Sequence, residues 1–264
     1  MAIKSSYLFA STCSLLLSLS FLPLQIASAY AQDVVTKEAT KGATKGQKVR
    51  YIPPKDIGIL KISLPGIFRN PPEKCDPTID VSCLSALVPD ADLKLNPPPL
   101  TLSARPTFFF SMPQVRGRAS FKLYDVDNAG KLRQIYSTTF QVDSPAGVIG
   151  YTMPVNAPEL KVNKIYAWRF TLGNLYKDEF KEVRGSIQRV ELSPGLSKQL
   201  ENSLPLERAS VYANLGIWYD SVKILAELQR ENPDRKKPLP EWVDLLKSAN
   251  LDQLATRPFT NMSP

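Results

Sequence analysis

Residues 166–200, YAWRFTLGNLYKDEFKEVRGSIQRVELSPGLSKQL, mark the change from a strand-rich chain to a helical one. Tyr166, Trp168, Phe170 and Leu172 fall on alternate positions, as do Val183, Gly185 and Ile187, and a period of two puts each set on one face of a strand. Ser193-Pro194 then supplies a side-chain oxygen for a helix N-cap and a proline whose fixed φ suits the first turn. The chain is therefore expected to be α+β, strands first and helices after. The stretch names no reaction.

Moving toward the N-terminus, the period of two recurs. Ala119, Phe121 and Leu123 alternate with Ser120, Lys122 and Tyr124; residues 125–130 are turn formers; and Tyr136, Thr138, Phe140 and Val142 line one face of a partner. This pattern predicts a β-hairpin over residues 118–142. Pro106 precedes three consecutive aromatics, Phe108, Phe109 and Phe110, which suit a strand buried on both faces or lying at a sheet corner. A further strand is expected over residues 148–153, ended by Pro154. Six or seven short strands at regular spacing predict an antiparallel β-sandwich over residues 100–192.

Moving toward the C-terminus, the period lengthens. A short helix runs from Pro194 to about Glu201, and Pro205 opens another carrying Leu206, Ala209, Ala213 and Ile217, bent or broken at Gly216. Val222, Leu225 and Leu228 form one face of a third helix, stopped by Asn232-Pro233, and Pro240-Glu241 opens a fourth through Trp242, Leu245 and Leu246. Asn250 with Gln253 reads as a small capping box. Such narrow apolar stripes must be covered, so residues 193–264 are expected to pack on the sandwich. Gly216, Trp218, Ser221, Leu225 and Pro233 fall where a tetratricopeptide-type hairpin places its glycine, aromatic, small, aromatic-or-leucine and proline. One copy forms no concave groove, which leaves it as a cap on the sheet or a docking surface.

The first hundred residues read differently. Lys4, the apolar run of residues 7–24 and Ala27-Ser28-Ala29 have the order of a secretory signal peptide over residues 1–29, with cleavage after Ala29 or Ala31. No later run is long and apolar enough to span a bilayer, so an exported, periplasmic or extracellular product is expected. Residues 30–99 form a basic, proline-rich, largely irregular segment: Ala39-Thr40-Lys41-Gly42 repeats as residues 43–46, prolines recur in pairs, and residues 57–64 offer one short apolar run fit for an edge strand. Cys13 lies in the signal core. Cys75 and Cys83 remain as an even pair in an oxidising compartment, and a bridge closing so short a loop would contribute about 2–3 kcal/mol on the chain-entropy model.

Composition excludes more chemistry than it suggests. The 264 residues include no histidine, which removes Ser-His-Asp and Cys-His catalysis, the common imidazole zinc sites and any imidazole pH switch. Carboxylate pairs and Ser-Lys dyads survive that test, so catalysis is disfavoured rather than excluded. No cofactor or metal motif is present, and none is expected. Asp125-x-Asp127-x-x-Gly130 opens like a calcium loop but puts Ala129 and Tyr136 where oxygen ligands are required, so it reads as a turn. Asp178, Glu179 and Glu182 among lysines read as a wet loop before they read as an acid and a base. Trp168, Trp218 and Trp242 sit in apolar patterns and read as core. Arg184 and Arg189, in an otherwise apolar strand, are the candidate cationic patch for an acidic partner.

The formal charge of +8 falls to +7 when residues 1–29, with Lys4 and no acid, are removed. Behind a signal peptide a positive balance points to an envelope protein or anionic envelope component as partner, and away from nucleic acid.

Six segments stand out together: residues 82–89 (SCLSALVP), 105–108 (RPTF), 145–148 (PAGV), 166–170 (YAWRF), 185–191 (GSIQRVE) and 213–219. In combination they resemble the exported cyanobacterial proteins of the "domain of unknown function 928" family. Leu172-Gly173-Asn174 stands where such proteins often carry a cysteine and polar residues. The resemblance implies export and architecture and no agreed activity. The reading is a non-catalytic binding or scaffolding module of the cell envelope. The alternatives are an envelope-glycan hydrolase using carboxylates or a Ser/Lys pair, and an anion-binding protein acting through its basic leader.

Overall fold

The computed structural model describes residues 48–54, 83–89, 98–174, 180–232, 234 and 237–260. Two sheets stack through their inner faces. The smaller joins β1 (Ser85–Ala86), β3 (Thr107–Met112) and β6 (Gly147–Thr152) in the order β1-β3-β6. The larger has the order β2-β8-β7-β4-β5, from β2 (Leu100–Thr101), β4 (Val115–Val126), β5 (Leu132–Ser144), β7 (Ile165–Asn174) and β8 (Phe180–Arg189). All pairings between these strands are antiparallel except β2 with β8. Four helices follow: α1 (Pro194–Glu201), α2 (Pro205–Asn214), α3 (Trp218–Glu231) and α4 (Pro240–Ser248). The α+β class with helices at the C-terminal end is the one the sequence predicts.

The hairpin forms as its alternation requires. Ala119 pairs with Phe140, Phe121 with Thr138 and Leu123 with Tyr136, and Asp127 closes the turn by accepting hydrogen bonds from the Ala129 and Lys131 amides. Asp125 instead takes ion pairs from Arg133 and Lys164, so the acidic rhythm is spent on the hairpin. The three phenylalanines divide between two faces. Phe110 stacks on Phe170 at 4.0 Å between ring centroids, and Phe108 meets Phe121, Trp168 and Tyr219 at 4.8–5.4 Å. On the opposite face Thr107, Phe109 and Ser111 are buried too, and Arg257 donates to Ser111 Oγ and the Met112 carbonyl. The strand is buried on both sides, as consecutive aromatics demand.

The helical unit closes one end of this stack. Ser193 Oγ accepts from the Leu196 amide to cap α1. Gly216, at φ +73°, ends α2 with the Gly216 amide donating to Ala213 and the Ile217 amide to Tyr212, the paired bonds of a left-handed helix stop. Ser221 Oγ donates to the Ala209 carbonyl and ties α2 to α3. This is the expected hairpin, and it is a cap on the sheets: Trp218 and Tyr219 are buried, and Tyr219 reaches between the sheets to Trp168.

The six or seven strands expected over residues 100–192 are seven, β2 to β8, and among the described residues β1, of two residues, adds an eighth from the preceding segment. Two expectations need correction. The basic segment is not a free leader at its end, since Val49 and Tyr51 are buried and Tyr51 meets Trp218 edge-on at 5.1 Å. Asn250 starts no capping box. It stands at φ 58° and ends α4, with the Leu251 amide donating to Leu246 and the Asn250 amide to Lys247. Asparagine tolerates the left-handed conformation, and a helix exit needs that tolerance more than the next turn needs a cap. The expected signal peptide, the repeat of residues 39–46, the run of residues 57–64, Cys75, Asp178, Glu179 and Pro233 lie outside the described residues.

Gly185 makes the central contact possible. A Cβ there would lie 2.3 Å from Trp168 Cζ2. The Gly185→Ala variant is expected to lose about 3 kcal/mol in urea unfolding, the cost of overpacking a fixed ring. Gly195→Ala in α1, with nothing within 4 Å of the new methyl, should gain a few tenths to about 1 kcal/mol.

Candidate functional site

Because β4, β7 and β8 alternate, the residues between the core positions line the opposite side of the large sheet. Register sets them in rows. Ser137, Lys122, Arg169 and Arg184 lie abreast across β5, β4, β7 and β8; Thr139, Ser120, Thr171 and Glu182 form the next row; Gln141, Arg118, Gly173 and Phe180 the one beyond. Three cations directly abreast are unfavourable in a sheet, where like charges on facing positions repel.

Part of that repulsion is relieved locally. Glu182 bridges Arg184 and Arg169, its Oε2 lying 3.3 Å from Arg169 Nε, and Thr171 Oγ1 donates to the same carboxylate at 3.4 Å. The Arg169 guanidinium also lies 5.9 Å from the centre of the Tyr124 ring, within reach of a cation–π attraction. Lys122 and Arg118 have no ion-pair partner among the described residues. Beside them Phe180 is 74% exposed. Its ring lies against Gly173, where a Cβ would come within 2.8 Å of Phe180 Cε1, so the missing side chain lets the ring lie against β7.

The predicted pair Arg184 and Arg189 does not form one patch. An odd separation in an alternating strand points the two side chains to opposite faces. Arg184 belongs to the cationic face. Arg189 donates from Nη1 to the Leu160 carbonyl at 2.8 Å and from Nε to that of Leu102 at 3.3 Å, and so fastens two connecting segments. Lys122, Arg169, Arg118 and Phe180 escape sequence reasoning, because only cross-strand register makes neighbours of them; the alternation of Lys122 in its strand is the one local signal.

The tryptophans belong to the core. Trp168 Nε1 donates to Tyr219 Oη, whose own proton goes to the Ser186 carbonyl, both at 2.9 Å; Trp218 donates to Leu87 O and Trp242 to Ala255 O. Burial drives the Tyr219 phenol far above its ordinary range, so it stays protonated. Cys83 is buried, with Sγ 3.6 Å from Ser85 Oγ. Among the described residues no group of three Cys, Asp or Glu is placed to hold a metal ion, and no helix is long and apolar enough to cross a membrane.

The family model for Domain of Unknown Function (DUF928) matches residues 66–259. The chain belongs to this family. The DUF928 match takes in both sheets and the four described helices, and with them the cationic face. No curated protein compared with the chain matches it.

One other carboxylate stands apart from this face. Asp220, in the first turn of α3, accepts from Thr101 Oγ1 at 2.7 Å and from the Leu102 amide at 2.9 Å, both on Oδ2, and thereby holds β2 to the helix. Burial raises its carboxyl above the usual range, against the hydrogen bonds that favour the ion. A raised carboxyl binds more protons folded than unfolded, so its contribution is fully present below the unfolded value and is lost as pH rises through the folded one. Asp220→Asn keeps an accepting oxygen and removes the charge. Its melting temperature at pH 7 should equal or exceed that of the parent, without this pH-dependent loss; Asp220→Ala, which strands two donors, should lose about 1–3 kcal/mol.

Proposed function

We propose that this DUF928 protein is an exported, non-catalytic binding module of the cell envelope whose contact surface is the outer face of the large sheet. One observation carries the reading. Lys122, Arg169 and Arg184 stand abreast with Arg118 nearby, against the carboxylate of Glu182 within those rows, on the face turned away from the main core. Such an arrangement costs stability and gains from an anionic partner. The signal-like residues 1–29 and the even pair Cys75 and Cys83 support export. The lack of histidine supports a binding role over the common hydrolytic ones. Of the acids Asp178, Glu179 and Glu182, Glu182 is engaged by two arginines.

The reading is tested with the mature chain and washed envelope material from the source cells. The protein should sediment with that material at low salt and be released as salt rises through the physiological range. Arg118→Glu with Lys122→Glu should weaken retention about tenfold or more, with unchanged unfolding. Steady release of soluble fragments from the envelope, abolished by changing one Asp, Glu, Ser or Lys without unfolding, would replace this reading with the hydrolase. A separate check concerns the cysteines: the intact exported protein should gain the mass of two hydrogens on reduction, and Cys75→Ser should abolish that gain.

A further inference from the structure

We infer that the partner of the cationic face is an extended acidic polysaccharide carrying a carboxylate or sulfate on its sugars. The inference rests on the binding reading above and assigns the ligand class. Four features of the face converge on it. Lys122, Arg169 and Arg184 run across the strands, where neighbouring positions are separated by about 4.8 Å, and Lys122 lies two rows from Arg118 along β4. That places cations along a line at a spacing comparable to the length of one pyranose, which suits a chain with a charge on each sugar better than a single small anion.

The second feature is chemical. Between and beside the cations stand Ser120, Thr171, Ser137 and Thr139, short hydroxyl side chains that donate and accept hydrogen bonds as sugar hydroxyls do. The third is Phe180. With Gly173 beneath it, the ring rests on the sheet and turns an open side to solvent, as a stacking platform for the apolar face of a sugar requires.

The fourth feature sets aside an acidic peptide. An extended peptide is commonly captured by the free backbone of an edge strand. Here three of the four cations, Arg118, Lys122 and Arg169, lie on β4 and β7, each paired on both sides, so they meet a ligand through side chains; only Arg184 lies on β8, whose far edge pairs with β2 at Gln188 and Arg189 alone among the described residues. A bilayer surface is the weaker match as well, since Phe180 is the one large exposed hydrophobic side chain among the described residues of this face and gives little apolar area to insert.

The test uses the mature full-length chain and four probes: polygalacturonate, neutral amylose, polyglutamate and phosphatidylglycerol vesicles. At low salt polygalacturonate should bind, amylose should not, and polyglutamate and the vesicles should each bind about tenfold more weakly or less. Phe180→Ala should weaken polygalacturonate about tenfold, the scale of one aromatic stacking contact, and leave polyglutamate unchanged. Arg118→Ser and Lys122→Ser should weaken both polyanions, because they remove charge alone. Equal or tighter binding of polyglutamate or vesicles overturns the inference, as does polygalacturonate binding that ignores Phe180→Ala. The two proposals fail separately. Envelope retention that is competed by polyglutamate and not by polygalacturonate sinks the ligand class and keeps the contact face, whereas absence of retention sinks both.

Discussion

The hydrogen bond from the Trp168 indole to the Tyr219 hydroxyl is the contact on which the rest of the structure depends. It joins the middle of the large sheet to the first turn of α3, and Tyr219 passes its own proton to the Ser186 carbonyl on the neighbouring strand. Both groups are buried, so each polar atom must find its partner there or forfeit the free energy of hydration. That requirement fixes the position of the helical unit more narrowly than apolar contact alone, which tolerates sliding. The surroundings agree with it. Gly185 leaves room for the indole, Phe108 packs edge-on against both rings, and Gly216 turns the chain so that α3 starts where Tyr219 can enter the core.

Filling the inner side so completely decides what the outer side can be. Phe121 of β4 and Tyr166, Trp168 and Phe170 of β7 are buried, and Ser120, Lys122, Arg169 and Thr171 between them are left for polar contact. Elsewhere the molecule neutralises its charges economically: Asp125 holds Arg133 and Lys164, and those cations outweigh the effect of its burial and keep its carboxyl below the usual range. The outer face does not follow that practice. Cations stand beside cations there with Glu182 shared between two of them, and a fold selected only for stability would not place them so.

The elements that repeat locally were legible in the chain. The hairpin of β4 and β5, the double-sided burial of β3, the proline starts of α1, α2 and α4 and the stop after α3 follow from alternation, turn chemistry and the limits of the proline ring. Two-residue strands were not, because β1 and β2 exist only through their partners on β3 and β8. Nor was the role of Tyr51, which reads as the end of a polar segment and is held by Trp218 and by the hydrogen bond from its amide to Ser248 Oγ.

What the sequence determined by itself was the inventory: which strands and helices can form, which side of each is apolar, and which reactions lack their side chains. Tertiary structure alone decided the neighbours. Lys122, Arg169 and Arg184 are far apart in the chain and abreast in the sheet, while Arg184 and Arg189 are close in the chain and face opposite ways. Local backbone geometry sets the side to which a residue points, but which residue stands beside it depends on strand register, a long-range property fixed only when the whole core packs.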